Sequence, residues 1–152
     1  MVETPQTNEL GYCAPILDPT KLHGHQELVH QSTLNQYVIH EGLDIVATVG
    51  ENVYSMVTGK ILNIGQDDLY NWKTVSIVDD YGLIVVYRYC KAKEGLKVGD
   101  QVKAGDIIGT VTKVSYYERG YPTHLHVEVY LGEFIQDPED FFSVKPPETN
   151  YE

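Results

Sequence analysis

Short apolar runs separated by glycine-containing turns fill the chain from residue 37 to residue 136. In the stretch KTVSIVDDYGLIVVYRY, two runs rich in β-branched residues flank residues 79–82, a pattern typical of a β-hairpin. The stretch HLHVEVYLGEFI predicts a further strand and turn. Closely spaced short strands of this kind predict an all-β fold, a compact antiparallel β-sandwich or barrel.

The two ends of the chain lack this pattern. Residues 1–36 are polar and contain three prolines, which predicts a long N-terminal arm with loops. Near the other end, QDPEDFF allows one short helix at most, with Asp137 as the N-cap and Pro138 as the first helical residue. The sequence therefore predicts an arm over 1–36, a β domain over 37–142 and a mobile tail over 143–152.

The stretch LKVGDQVKAGDIIGTV contains Gly-Asp-x-apolar twice, at Gly99 and at Gly105. A tight Gly-Asp turn followed by an inward apolar residue predicts two short β-arches. Such arches are similar to those of biotinyl and lipoyl carrier domains, which present a modified lysine at a hairpin tip. Lys60, after Gly59, is the candidate for that lysine here.

Composition narrows the classes of partner. The formal net charge is −11 and the sequence pI is about 4.8, which argues against nucleic acid or an anionic membrane as the main partner. No apolar run approaches the ~20 residues needed to span a bilayer, and the first fifteen residues show no signal-peptide pattern. The two cysteines, Cys13 and Cys90, are compatible with one disulfide or with two free thiols.

Two histidines on one strand indicate a candidate site. His124 and His126 are separated by one residue, so both side chains lie on the same face of a strand. A metal site is one interpretation, and a solvent-facing pair is the other. Upstream, HEGLD places His40 four residues before Asp44, about 13 Å apart on a straight strand. A bend at Gly42 would bring the two side chains together on one metal ion.

His40, Asp44 and one of the two strand histidines therefore form a candidate His-Asp-His ligand set. A zinc ion with three protein ligands keeps a fourth position for water, which is the catalytic pattern. The other strand histidine would then lie beside that water as a general base. These residues alone leave open which histidine has which role.

Four stretches, in this order, resemble the lysostaphin/LytM-type zinc metallopeptidases of cell-wall peptides: HEGLD, GENVYSMVTGKI, LKVGDQVKAGDIIGTV and HLHVEVYLGEFIQDPEDFF. The resemblance covers roughly residues 37–142. It implies a β fold of the duplicated-hybrid-motif type and one zinc ion held by His40, Asp44 and His126, with His124 as a catalytic histidine. It also implies peptidoglycan or a glycine-rich peptide as substrate, and an extracellular or cell-envelope location.

The sequence departs from the family pattern at two places. Where these enzymes have a second catalytic histidine on the hairpin, the stretch YRYC has Tyr89, whose hydroxyl is a candidate oxyanion donor or, alternatively, a core side chain. The loop before His124 is bulky and carries Tyr116, Tyr117 and Tyr121, which are candidates for lining a binding cleft. Both departures resemble the leukocyte-derived chemotaxin branch, which keeps the zinc ligands but is regarded as a binding protein.

Two functions therefore stand side by side: a zinc endopeptidase, and a non-catalytic zinc-binding module that recognises a protein or glycan partner. The N-terminal arm adds His23, His25 and His30, for which a separate zinc site has no family support. One of these histidines, or Asn35, could fold back onto the open zinc position, since such latency occurs in the family that the chain resembles.

Overall fold

A computed structural model of the chain describes residues 3–24, 28–31, 36–39, 42–67, 72–114 and 122–147. Within these ranges the chain forms thirteen β-strands and one short 3-10 helix, Pro138–Asp140. The strands are β1 Lys21–His23, β2 Leu28–Gln31, β3 Gln36–Ile39, β4 Leu43–Val46, β5 Asn52–Tyr54, β6 Gly59–Asp67, β7 Trp72–Asp79, β8 Leu83–Arg88, β9 Cys90–Ala92, β10 Gln101–Val102, β11 Ile107–Val111, β12 His124–Leu131 and β13 Phe134–Gln136.

The described strands pair into three antiparallel sheets. The largest has the order β1-β4-β12-β8-β7-β6-β10, with β13 paired to β12. A three-stranded sheet has the order β5-β11-β9, and β2 pairs with β3. One buried cluster draws residues from both larger sheets, including Val53 and Ile108 from the small sheet and Ile77 and Val127 from the large one. The predicted all-β antiparallel fold is confirmed.

Strict alternation along β12 separates the core from the candidate site. Leu125, Val127 and Val129 are fully buried in the core cluster. The residues that alternate with them, His124, His126 and Glu128, therefore lie on the opposite face of the strand. The same pleat that anchors β12 in the core thus presents its polar side chains together on one face.

The predicted turns are confirmed. β7 and β8 form the predicted hairpin around residues 79–82. In the Gly-Asp repeat, Gly99 has φ +92° and Gly105 has φ +94°, a backbone conformation that favours glycine. The carboxylates of Asp100 and Asp106 each accept a hydrogen bond from the backbone N–H three residues earlier, at 2.9 and 2.8 Å. The two turns are therefore closed by the aspartate of the repeat.

The predicted C-terminal helix is a single 3-10 turn. The Asp137 carboxylate accepts a hydrogen bond from the Glu139 N–H at 2.9 Å, and Pro138 begins the helix, as the sequence predicted. Among the described residues, no helix has the length and apolar character that crossing a membrane requires.

Three observations refine the sequence predictions. The N-terminal arm is not irregular throughout, because β1 pairs with β4 at the edge of the largest sheet. Both cysteines are free and buried, so Cys13 and Cys90 form no disulfide. Lys60 lies within β6, opposite residues of β7 and β10, and not at a hairpin tip, which removes the structural basis for a carrier function.

Candidate active site

Three titratable residues lie side by side across neighbouring strands of the largest sheet. His23 on β1 is in register with Asp44 on β4, and Asp44 is in register with His126 on β12. Residues directly opposite each other on antiparallel strands have their side chains on the same face, about 4.5–5.5 Å apart at Cβ. Residues from positions 23, 44 and 126 are thus brought together by strand pairing alone.

Asp44 is the centre of this arrangement, and its side chain is fully buried. Its Oδ1 atom lies 2.8 Å from His126 Nδ1, and its Oδ2 atom lies 3.1 Å from His23 Nδ1. His124 Nε2 is 3.6 Å from Oδ2. Three imidazoles therefore surround one buried carboxylate, and the low local dielectric makes each of these contacts stronger than it would be at the surface.

Gly42 is required by close packing at this point. A Cβ atom on Gly42 would lie 2.3 Å from the Val127 carbonyl oxygen and 2.9 Å from His126 Nε2. Any larger residue would push the chain before Asp44 away from β12. Gly42, which the sequence predicts to be a bend, thus also allows close approach to the His126 ring.

His126 is held from both sides. While Nδ1 faces Asp44, Nε2 lies 2.7 Å from Glu128 Oε2. Burial opposes protonation of this imidazole, but the hydrogen bonds to Asp44 and Glu128 outweigh burial and raise the His126 pKa to about 10. Without a metal, His126 is therefore an imidazolium between two carboxylates. If His126 and Asp44 held a metal, it would displace a proton from the His126 ring, and the contact with Glu128 would keep the ring oriented.

Glu128 joins His126 to two further polar side chains. Its carboxylate also accepts hydrogen bonds from Arg88 Nε at 3.1 Å and from Tyr130 Oη at 2.5 Å. Burial raises the pKa of Glu128, but the contacts with His126, Tyr130 and Arg88 outweigh burial and lower it to about 2. Glu128 is therefore ionised at neutral pH and fixes the ring orientation of His126.

His124 has a defined tautomer. Its Nδ1 lies 2.8 Å from the Pro122 carbonyl oxygen, and because a carbonyl can only accept, Nδ1 carries the hydrogen. The other ring nitrogen, Nε2, lies on the side that faces Asp44. His124 is fully buried, so its ring orientation is also fixed by packing. Because Nδ1 keeps its hydrogen on the Pro122 carbonyl, Nε2 is the ring nitrogen at which a proton can be exchanged.

Tyr89 lies against His124. The two ring centroids are 5.4 Å apart with the planes at 89°. Tyr89 has φ +63°, which is unusual for a non-glycine residue, and it separates β8 from β9. Strand alternation would have placed Tyr89 with the core residue Tyr87. The left-handed backbone at Tyr89 instead turns its ring toward His124. Tyr89 therefore packs at the candidate site and not in the general core.

Several predicted site residues lie outside the described residues: His40, Tyr116, Tyr117 and Tyr121, as well as His25 and Asn35 of the arm. The His30 side chain is likewise outside the description. Within the described ranges, no three His, Cys, Asp or Glu side chains form a complete metal-binding group. The predicted zinc set thus has two described members, Asp44 and His126, in direct contact, and their carboxylate and imidazole donors are ones that zinc accepts.

Glu128 was not among the site residues predicted from the sequence. The signal was present, because Glu128 follows His126 by two residues and so lies on the same face of β12. The contact between His23 and Asp44 joins residues that are 21 positions apart in the chain. From the sequence, His23 was therefore only one of several arm residues that could reach the site.

Residues 38–138, more than half of the chain, match peptidase family M23. The chain belongs to this family. The M23 match includes Asp44, Tyr89, His124 and His126. The resemblance to lysostaphin/LytM-type peptidases is thereby confirmed at the level of family and fold.

Similar proteins include lysostaphin of Staphylococcus staphylolyticus, which is 30% identical to this chain over 107 residues. That alignment covers 68% of this chain but only 22% of lysostaphin, so the chain spans about a fifth of the length of that relative. The solved catalytic domain of the antimicrobial peptidase lysostaphin from Staphylococcus simulans is 26% identical with a TM-score of 0.66, covering 81% of this chain and 91% of that one.

A chain from the SpoIIQ–SpoIIIAH pore-forming complex has the same fold, with a TM-score of 0.72. The structural match covers 88% of this chain and 91% of that one. Its sequence identity of 19% limits the comparison to the fold. The M23 fold thus occurs both in a peptidase and in a protein assembly.

Proposed function

We propose that this protein is a zinc-dependent M23 endopeptidase that cleaves peptide bonds of peptidoglycan or of glycine-rich peptides at the cell envelope. The observation that carries the proposal is the buried contact between Asp44 and His126, with His124 Nε2 3.6 Å from the same carboxylate. The similarity to a glycyl-glycine endopeptidase, ALE-1 of Staphylococcus capitis, which is 31% identical over 106 residues, supports the substrate class.

In this proposal Asp44, His126 and His40 would hold one zinc ion. When bound there, zinc supplies a Lewis acid that polarises the scissile carbonyl. His124 Nε2 accepts the proton of the attacking water and passes it to the leaving amine. The Tyr89 hydroxyl donates a hydrogen bond to the developing oxyanion, a contact worth about 10²–10³ in rate when one donor is removed. Tyr116, Tyr117 and Tyr121 remain candidates for substrate contact.

The test combines metal content with cleavage. Zinc is measured by elemental analysis on the purified protein, and the same sample is incubated with pentaglycine and with purified peptidoglycan, with and without a chelator. One zinc per chain and chelator-sensitive cleavage are expected. Absence of zinc from protein that was never exposed to chelator, together with failure to take it up, would refute the proposal.

Two histidine variants form a matched pair for the assigned roles. His126→Ala removes a ligand, and we expect it to abolish stoichiometric zinc binding. His124→Ala removes the base, and we expect one zinc to remain while cleavage falls at least 10²-fold. Equal zinc content in the two variants would contradict the division of roles between these histidines.

A second candidate is a zinc-binding recognition module of the same fold, and Tyr89 is the observation that favours it. A phenol with an ordinary pKa near 10 is a poor proton carrier at neutral pH, and Tyr89 replaces an imidazole of the peptidase pattern. Its tight packing against His124 would suit a static binding surface. Zinc without cleavage by the wild-type protein would favour this candidate.

Tyr89→His and Tyr89→Phe separate the two candidates. If the protein is an endopeptidase that uses the hydroxyl, Tyr89→Phe lowers kcat with little change in zinc content. If the protein is a recognition module, neither the wild type nor Tyr89→Phe cleaves the substrates, and partner binding is the property to measure. Detectable cleavage by Tyr89→His alone would indicate a peptidase site that lost one group.

A further inference from the structure

We propose that His23, from the N-terminal arm, is a positioning residue that holds the carboxylate of Asp44 for metal binding. The inference rests on the proposed function, since it assumes a metal at Asp44 and His126. In this role the N-terminal arm helps to form the metal site and does not merely cover it.

The two oxygens of Asp44 face different imidazoles. Oδ1 is 2.8 Å from Nδ1 of the proposed ligand His126. Oδ2 is 3.1 Å from His23 Nδ1, and the imidazole nitrogen donates because a carboxylate can only accept. The contact with His23 thus occupies one oxygen and leaves the other on the side of His126. Carboxylate ligands of metals are commonly held by such outer hydrogen bonds.

A strand irregularity places His23 at this position. Lys21 is opposite Ile45, and continued regular pairing would bring Leu22 opposite Asp44. The register shifts between Lys21 and His23, so that His23 becomes the partner of Asp44 instead. Bulges of this type re-aim a side chain, and they are frequent beside active sites. His23 is only 6% exposed as a result, while Leu22 is also buried.

β1 is fastened on two sides. On one side, the Val46 N–H donates to the Thr20 carbonyl oxygen at 2.9 Å. On the other, the Lys21 N–H donates to the Lys145 carbonyl oxygen at 2.9 Å, and Lys21 Nζ pairs with Glu139 at 3.1 Å. The two backbone bonds hold β1 in the sheet without the Lys21 side chain, so the contact of His23 with Asp44 does not depend on a loose arm.

Together, the two proposed ligands that the structure describes each have an outer partner. Glu128 accepts from His126 Nε2, and His23 donates to Asp44 Oδ2. Loss of one such partner typically lowers metal affinity 10- to 100-fold. We expect His23 to act at that scale, through Asp44 and without contact with the metal.

The test compares two substitutions in the full chain. His23→Asn keeps an N–H donor at nearly the reach of Nδ1, whereas His23→Leu removes the donor at similar volume. Zinc affinity is measured by competition with a chromophoric chelator, and Co²⁺ binding by its visible absorption. We expect His23→Leu to bind zinc about 10- to 100-fold more weakly and His23→Asn to stay within a few-fold of wild type. The intensity of the Co²⁺ bands should not change in His23→Asn.

Controls separate positioning from folding. Lys21→Met, on the same strand, loses the ion pair with Glu139 and should keep wild-type zinc affinity. If His23→Leu does not fold, His23→Gln replaces it, because the longer amide reaches the position of Nε2 and misses Asp44 Oδ2. The melting temperature without metal reports the structural cost of each variant.

Each outcome decides a different point. Wild-type affinity in His23→Leu, or in the His23→Gln replacement, overturns the inference and leaves the proposed function standing. Weak binding by both His23→Asn and His23→Leu, with altered Co²⁺ bands, overturns it in favour of direct ligation by His23. A wild-type protein that binds neither metal refutes the proposed function itself.

Discussion

Glu128 offers the sharpest test of how the site is held together. Its carboxylate accepts hydrogen bonds from His126 at 2.7 Å, Arg88 at 3.1 Å and Tyr130 at 2.5 Å, and its side chain is only 8% exposed. Glu128→Leu removes all three acceptor contacts at similar volume. Glu128→Gln keeps one oxygen, which is sufficient to accept from His126 Nε2 but carries no charge.

The two variants should differ in metal affinity. Without an acceptor, His126 loses the contact that fixes its tautomer with Nδ1 toward Asp44, and zinc affinity should fall about 10- to 100-fold in Glu128→Leu, equivalent to about 1.4–2.7 kcal/mol. Glu128→Gln should retain most of the affinity. Its cost should appear in folding, because the charge-assisted hydrogen bonds from Arg88 and Tyr130 weaken, by about 1–3 kcal/mol in unfolding free energy.

The assay pairs chelator competition for zinc with urea unfolding of the metal-free protein. Glu133→Gln is the matched control, since Glu133 is exposed at the turn between β12 and β13. It should leave both quantities unchanged. Zinc affinity of Glu128→Leu equal to wild type would refute the claim that Glu128 orients His126. Equal losses of zinc affinity in Glu128→Leu and Glu128→Gln would show that Glu128 acts on His126 through its charge and not through orientation.

Three further predictions concern the fold around the site. Tyr87→Phe leaves a buried backbone N–H without the acceptor that lies 2.8 Å away, and it should lower the urea-measured unfolding free energy by about 1–3 kcal/mol; a change below ~0.5 kcal/mol would contradict this. Gly109→Ala places a Cβ atom 2.2 Å from a backbone oxygen of β9 and should destabilise by roughly 3 kcal/mol or more, whereas Gly65→Ala, with 3.9 Å to its nearest atom, should cost about 1 kcal/mol at most. Burial raises the pKa of Cys13 to about 11 and of Cys90 to about 12, from 9.0. The thiols of the folded protein therefore stay protonated at pH values at which those of the unfolded chain ionise, and the unfolding free energy should decline as the pH rises above 9. A thiol reagent at pH 8 should react only when the protein unfolds. Rapid labelling of the native protein would contradict the burial of the thiols.

The local pattern determined most of the fold. Alternating and β-branched runs identified the hairpin of β7 and β8, because period-2 burial depends only on neighbouring residues in the chain. The Gly-Asp turns followed for the same reason, since φ values of +92° and +94° are requirements of single glycines. The 3-10 turn at Asp137 is likewise a local cap. His124 and His126 could be assigned to one face from their spacing alone.

Pairing between distant strands decided the rest. The contact of Asp44 with His126 joins residues 82 apart, and the contact with His23 depends on a register shift that no sequence period reveals. Tyr89 could be interpreted as core or site until its left-handed backbone turned the ring toward His124. Sequence determines which face a side chain occupies, because that depends on neighbours in the chain. Which side chains meet across the sheet depends on register, and register is a property of the folded whole.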